Sequence, residues 1–144
     1  MSDSIASDAD AVTTYRAHLT RSGGTRLPCL RVPEDAAVEA GDEIRLVIDG
    51  ESCHARVESD ARGRLLRGAY DNRRLARNPG EGENRLVEWC REHGREADDA
   101  VDVDEVDPGY LYGVRVPGER TVYEMTGRPD EGLRDIADSL LGDE

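Results

Sequence analysis

One stretch constrains the fold of this chain more than any other. After Asp42, the run Glu43-Ile44-Arg45-Leu46-Val47-Ile48 leads into Asp49-Gly50, and Cys53, Ala55 and Val57 then recur at every second position. Period-two spacing lays one face of an extended strand on a core, and Asp-Gly supplies the positive-φ pair that closes a two-residue hairpin. The same grammar recurs over residues 12–21, 26–32, 64–68, 101–106, 111–116 and 120–125, punctuated by Ser22-Gly23-Gly24, Asp60-Ala61-Arg62-Gly63, Asp107-Pro108-Gly109 and Pro117-Gly118. Helical signals are fewer. Pro33-Glu34-Asp35 opens a turn or two that Gly41 stops, and Asn72 can cap a short helix ending before Asn78-Pro79-Gly80. Asn84 can cap a better helix, with Leu86, Val87, Trp89 and Cys90 on one face and Gly94 at its end. The expected class is α+β, mainly β: a small pseudobarrel of about seven or eight strands with two or three short helices and a C-terminal amphipathic helix.

At 144 residues the chain suits one domain. Residues 1–10, mostly Ser, Asp and Ala, read as a disordered lead, residues 11–127 as the β-rich barrel, and residues 128–144 as helix and tail. In that tail Leu133, Ile136, Ala137, Leu140 and Leu141 make an apolar stripe that needs the barrel or a partner to cover it.

Ile, Leu and Val make up 28 residues and the net charge is −13, a pairing that ordinarily suggests disorder. Two absences argue otherwise. All 19 basic residues are Arg and there is no Phe, a bias that resembles the proteins of extremely halophilic archaea, where surface acid is a solvent adaptation. Without Lys, a Walker A loop and a pyridoxal Schiff base are excluded. No apolar run reaches the length of a membrane span and the first ten residues carry acids where a signal peptide needs bases, so a soluble, cytoplasmic protein is expected. Cys29, Cys53 and Cys90 are odd in number and far apart, which favours buried thiols over a disulfide framework. In molar salt the Debye length falls to about 3 Å, so net charge decides little about partners while local charge still matters.

Arg26-Leu27-Pro28-Cys29-Leu30-Arg31-Val32-Pro33, a short helix to Ala40 and then Gly41-Asp42-Glu43-Ile44-Arg45-Leu46-Val47 is similar to the strand, Pro, short helix, Gly-Asp, strand core of AbrB/MazE-like transcription factors. A looser second copy follows, with the helix 86–93, Gly94 and then Asp98-Asp99-Ala100-Val101-Asp102-Val103. The order of elements, with Tyr70 after Gly68, also resembles the plant B3 and restriction-enzyme effector pseudobarrels. No Trp adjoins Gly68, and Asp98 stands where those families place Gly. The resemblance implies a pseudosymmetric barrel and a DNA-contacting edge.

Within residues 62–77 lie Arg62, Arg64, Arg67, Arg73, Arg74 and Arg77 against the single acid Asp71. Arg forms bidentate contacts with phosphate and guanine, and Tyr70 and Asn72 add stacking and amide hydrogen bonding. Arg64, Arg67, Tyr70, Asn72, Arg73, Arg74 and Arg77 are therefore the candidate nucleic-acid-binding residues, unless the arginines pair with the plentiful carboxylates. The acids Asp102 and Asp104 alternate with Val101 and Val103, which predicts a solvated outer strand face, or less simply an oxygen site for Mg²⁺ or Ca²⁺. Cys90 and His93 at i and i+3 could join Cys53 and His54 around Zn²⁺, although the plainer reading keeps both thiols in the core. Trp89 reads as a core anchor, and Tyr110 and Tyr112 as strand packing. No catalytic residue, metal ligand set or cofactor is assigned. The leading expectation is a non-enzymatic nucleic-acid-binding module, a small transcriptional regulator for example. The rivals are a protein-interaction module or homodimer docking by the C-terminal helix or a sheet edge, and a small metal-dependent enzyme.

Overall fold

In a computed structural model, residues 3–21, 27–78 and 81–125 are described. The elements in chain order are β1 (Asp3–Ala6), β2 (Thr13–Thr20), β3 (Cys29–Arg31), β4 (Glu43–Ile48), β5 (Glu51–Asp60), β6 (Gly63–Leu66), α1 (Arg73–Arg77), α2 (Arg85–Glu92), β7 (Ala100–Asp107), β8 (Leu111–Arg115) and β9 (Val122–Met125). Seven strands close into a barrel in the order β2-β3-β6-β5-β4-β8-β7, while β1 and β9 pair separately as a two-stranded ribbon. The β4–β8 pair is parallel, and the chain between them makes the crossover that a parallel pair requires. The architecture is the mainly β pseudobarrel with short helices that the sequence patterning predicts.

The β4–β5 hairpin forms as its sequence dictates. Asp49 and Gly50 both take positive φ, 49° and 84°, and Ile48 faces Glu51 across the turn. That register sends Ile44, Leu46, Cys53, Ala55 and Val57 into the barrel with Leu19, Leu66, Val101 and Val103. Leu86, Trp89 and Cys90 of α2 join the same core, so the helix stoppers the barrel rather than lying on a free face.

A second apolar cluster lies outside the barrel wall, where Val12, Val47, Val106, Tyr110 and Leu111 meet Tyr123 of β9. The Tyr123 ring sits over Gly113 of β8 so closely that a Cβ there would lie 2.2 Å from it. Glycine is required at this strand position to let the second layer dock.

Three expectations meet a different outcome or none. Residues 3–6 fall in the segment expected to be a disordered lead, yet they form β1 and pair from Asp3↔Met125 to Ala6↔Val122. The distant partner β9 supplies the hydrogen bonds that local composition could not announce. Residues 33–40 form turns rather than a helix. Their carbonyls are met by a side chain instead, since the Arg64 guanidinium donates to the carbonyl oxygens of Pro33, Glu34, Ala36 and Val38. The C-terminal helix expected over residues 128–144 lies outside the described residues.

Candidate functional site

The arginine-rich segment spans the end of β5–β6 and all of α1, and its side chains take different partners. Arg64 turns inward onto the 33–38 loop as described above. Arg67 Nε lies 3.2 Å from Glu58. Arg77 donates from Nε and Nη2 to the two carboxylate oxygens of Glu43 at 2.7 and 3.1 Å, and Arg73 lies 3.9 Å from the same carboxylate. Arg74 donates to Glu81 at 2.5 Å. The Arg77 hydrogen bond holds the Glu43 carboxyl below its ordinary pKa, against a smaller opposing effect of burial. Asp71, the one acid inside the segment, is bound by Arg85.

Tyr70 and Asn72 have local duties. Tyr70 is buried and exchanges backbone hydrogen bonds with His54 at 2.7 and 2.8 Å, and burial raises its pKa. Asn72 caps α1, its side chain accepting from the Leu75 amide at 2.9 Å. Arg73, Arg74 and Arg77 share α1 with side chains about half exposed or more, while Arg64 and Tyr70 are committed elsewhere. Of the seven candidate residues, Arg64 and Tyr70 are thus turned to internal partners. The acids that neutralise them, Glu43, Glu58 and Glu81, lie outside the 62–77 window.

The alternating acids of β7 correct the expectation of a solvated face. Asp104 has no exposed surface, and Asp102 and Glu105 are also buried. The outer face is covered because β9 packs over it and cross-strand neighbours supply counter-charges. Arg115, facing Asp102 on β8, reaches Asp104 at 2.7 Å, and Arg16 on β2 reaches Asp102 at 2.8 Å. Thr14 donates to Asp104 at 2.6 Å and the Tyr123 hydroxyl donates to the same carboxylate. Glu105 accepts from the hydroxyls of Tyr112 at 2.8 Å and Tyr15 at 3.2 Å. Burial raises the Tyr112 and Tyr123 pKa values, and these carboxylates raise them further.

The Cys–His zinc alternative does not assemble. Cys53 and Cys90 point into the barrel core, where burial pushes both thiols up to about 11, far from the thiolate that zinc or nucleophilic chemistry requires. His93 turns away from Cys90. Its ring packs at 5.1 Å against Trp89, which is buried as a core anchor, and its Nε2 lies 3.2 and 3.3 Å from the Asp49 carboxylate oxygens.

That turn builds a cluster the sequence reading missed. One ligand atom each from Asp49, Glu92 and His93 lies within 4.8 Å of the others. Asp49 comes from the β4–β5 turn, Glu92 is the last residue of α2, and His93 is its C-cap. Glu92 places a carboxylate at the negative end of the helix dipole, an unfavourable position that a cation would offset. With side chains of Asp49 and His93 53% and 29% exposed, the cluster opens to solvent. One imidazole nitrogen and two carboxylates suit Zn²⁺ or a related first-row divalent ion, which would keep open coordination positions. The neighbouring Glu92-His93 pair was the available signal. Asp49, 44 residues away, could be added only by the fold.

The chain was compared with known proteins. A model described as a family of unknown function (DUF7112) matches residues 1–140. No curated protein and no solved structure matches. Among the described residues, no helix is long and apolar enough to cross a membrane.

Proposed function

We propose, for a chain that belongs to this family of unknown function, a non-enzymatic binding module built around a divalent-metal site at Asp49, Glu92 and His93. The observation that carries this reading is the convergence of three potential ligand atoms from the hairpin turn and the end of α2 within 4.8 Å. The Trp89 contact supports it by fixing the imidazole plane, so that Nε2 faces the carboxylates without a rotamer search. Isothermal titration of the full chain with Zn²⁺ is expected to show one ion bound per chain, with Mg²⁺ and Ca²⁺ binding far more weakly. Asp49→Asn and His93→Gln should each weaken Zn²⁺ at least tenfold. Equal Zn²⁺ affinity in all three proteins would overturn the reading and leave Asp49–His93 as an ion pair that pins α2 to the hairpin.

Nucleic-acid contact by Arg64, Arg67, Tyr70, Asn72, Arg73, Arg74 and Arg77 is the second reading. It is favoured by one observation, the exposure of Arg73, Arg74 and Arg77 on α1. It requires phosphates to displace Glu43 and Glu81. Retention on DNA or RNA that disappears in an Arg73→Glu/Arg74→Glu double variant would support it.

A further inference from the structure

Three arginines that make no ion pair among the described residues lie away from the arginine-rich segment. Arg21 follows β2, Arg91 lies in the last turn of α2 and Arg95 follows it, and all three line one cavity of about 210 Å³. Among the described residues, none of their guanidiniums makes an ion pair, whereas Arg67, Arg74, Arg77, Arg85 and Arg115 each hold a carboxylate. The Nε of Arg95 is moreover buried with no hydrogen-bond partner. A buried guanidinium N–H left unpaired is costly, and few occur in folded proteins. Among the described lining residues Glu96 is the one acid, against three arginines. The rest of the wall is apolar, contributed by Leu27, Pro28, Val87, Cys90 and Ala97.

The backbone fixes this arrangement from both sides. Arg95 N donates to Cys90 O at 2.7 Å, past Gly94 in the left-handed region at φ 64°, which ties Arg95 to the end of α2. Asp98 N donates to Leu19 O at 2.6 Å and Leu19 N to Asp99 O at 2.9 Å, which ties the following loop to β2 and brings it beside Arg21. Residues from separate parts of the chain thus bring three arginines to a largely apolar lining.

We infer that this cavity is a binding site for a small phosphate monoester with a compact apolar or aromatic body. The three guanidiniums against Glu96 leave two net positive charges, the complement of a monoester dianion rather than of a single carboxylate. The exposed guanidiniums of Arg21 and Arg91 would donate to the phosphate oxygens. The volume exceeds the roughly 150 Å³ of a cavity that holds benzene, so an aromatic ring fits the apolar part. Cys90 on the lining stays a thiol, since burial raises its pKa, and the site accordingly holds the ester without attacking it.

Calorimetric titration of the full chain at about 0.1 M salt, where the Debye length is about 10 Å, tests this with phenyl phosphate, inorganic phosphate, benzoate and an unphosphorylated single-stranded oligonucleotide. Phenyl phosphate is expected to bind at least tenfold more tightly than inorganic phosphate or benzoate. Arg91→Gln and Arg95→Gln should each weaken it tenfold or more, while Arg73→Gln/Arg74→Gln leaves it unchanged. Arg91 is exposed, so its variant keeps the test valid if the Arg95 variant fails to fold. No binding of phenyl phosphate by the unsubstituted protein, or binding unaffected by Arg91→Gln, overturns the proposal. So does an oligonucleotide that binds more tightly than phenyl phosphate and depends on Arg91, which would make the cavity a phosphodiester contact.

Discussion

The arginines of residues 62–77 and those at positions 21, 91 and 95 carry the same group and meet opposite surroundings. The first set is dense in sequence, yet Glu43, Glu58 and Glu81 arrive from other parts of the chain and occupy Arg67, Arg73, Arg74 and Arg77. The second set is scattered over 75 positions, yet it converges on one cavity with a single acid among its described lining residues. Local charge density therefore says where arginines are, and the fold says which of them are free to bind. In a chain with 32 acids and 19 bases, pairing is the default state of a guanidinium, and an unpaired group is the more informative observation.

The contrast between claimed and unclaimed arginines can be pressed hardest at its buried extreme. Arg115 is 13% exposed and Asp104 not at all. Asp104→Ala leaves the Arg115 guanidinium with Asp102 at 3.5 Å as its remaining carboxylate and takes the acceptor from two hydroxyl donors, with an expected loss of about 3 kcal/mol in chemical denaturation. A loss below about 1 kcal/mol would show that the pairing contributes little to holding β9 on the barrel.

Arg64 is the intermediate case, since its partners are loop carbonyls instead of carboxylates. Arg64→Ala is expected to cost roughly 2 kcal/mol, read by the same denaturation experiment, because the carbonyls of the 33–38 loop lose their donors together. Faster amide hydrogen exchange confined to that loop would accompany it, and a neutral outcome would break the view that this arginine replaces a helix.

The smallest effect is expected on the exposed face of α1 and is best read by pH. The Glu43 carboxyl has a folded pKa below its unfolded value of 4.5, chiefly through Arg77. Its contribution to stability is present above pH 4.5 and is lost as pH falls through the lower folded pKa. Arg77→Gln should return that pKa toward the ordinary value and flatten the acid limb of stability against pH. An unchanged limb would mean that Arg73 and Arg56 hold Glu43 without it.

Much of the barrel was legible because its determinants are local. Period-two spacing marks β4 and β5, the Asp49-Gly50 turn fixes their register, and Asn72 and Asn84 begin the two helices as their side-chain chemistry predicts. The misses share one cause. Residues 3–6 become a strand only because β9 is there to pair with them, and residues 33–40 lose their helical turn because Arg64 reaches their carbonyls across 26 to 31 positions. Asp102 and Asp104 alternate as a solvated face would, but a second layer admitted by Gly113 covers them.

The sequence alone determined the strands of the barrel and the two Asn-capped helices, because backbone turn preferences and side-chain alternation act over a few residues. Which charges are neutralised, which carboxylates are buried and which ligand atoms meet were decided only in three dimensions. Coulomb and hydrogen-bond partners act over a few ångströms of space with no regard for separation along the chain. Asp49 with His93, and Arg21 with Arg95, become neighbours only when the barrel closes and α2 seals its end.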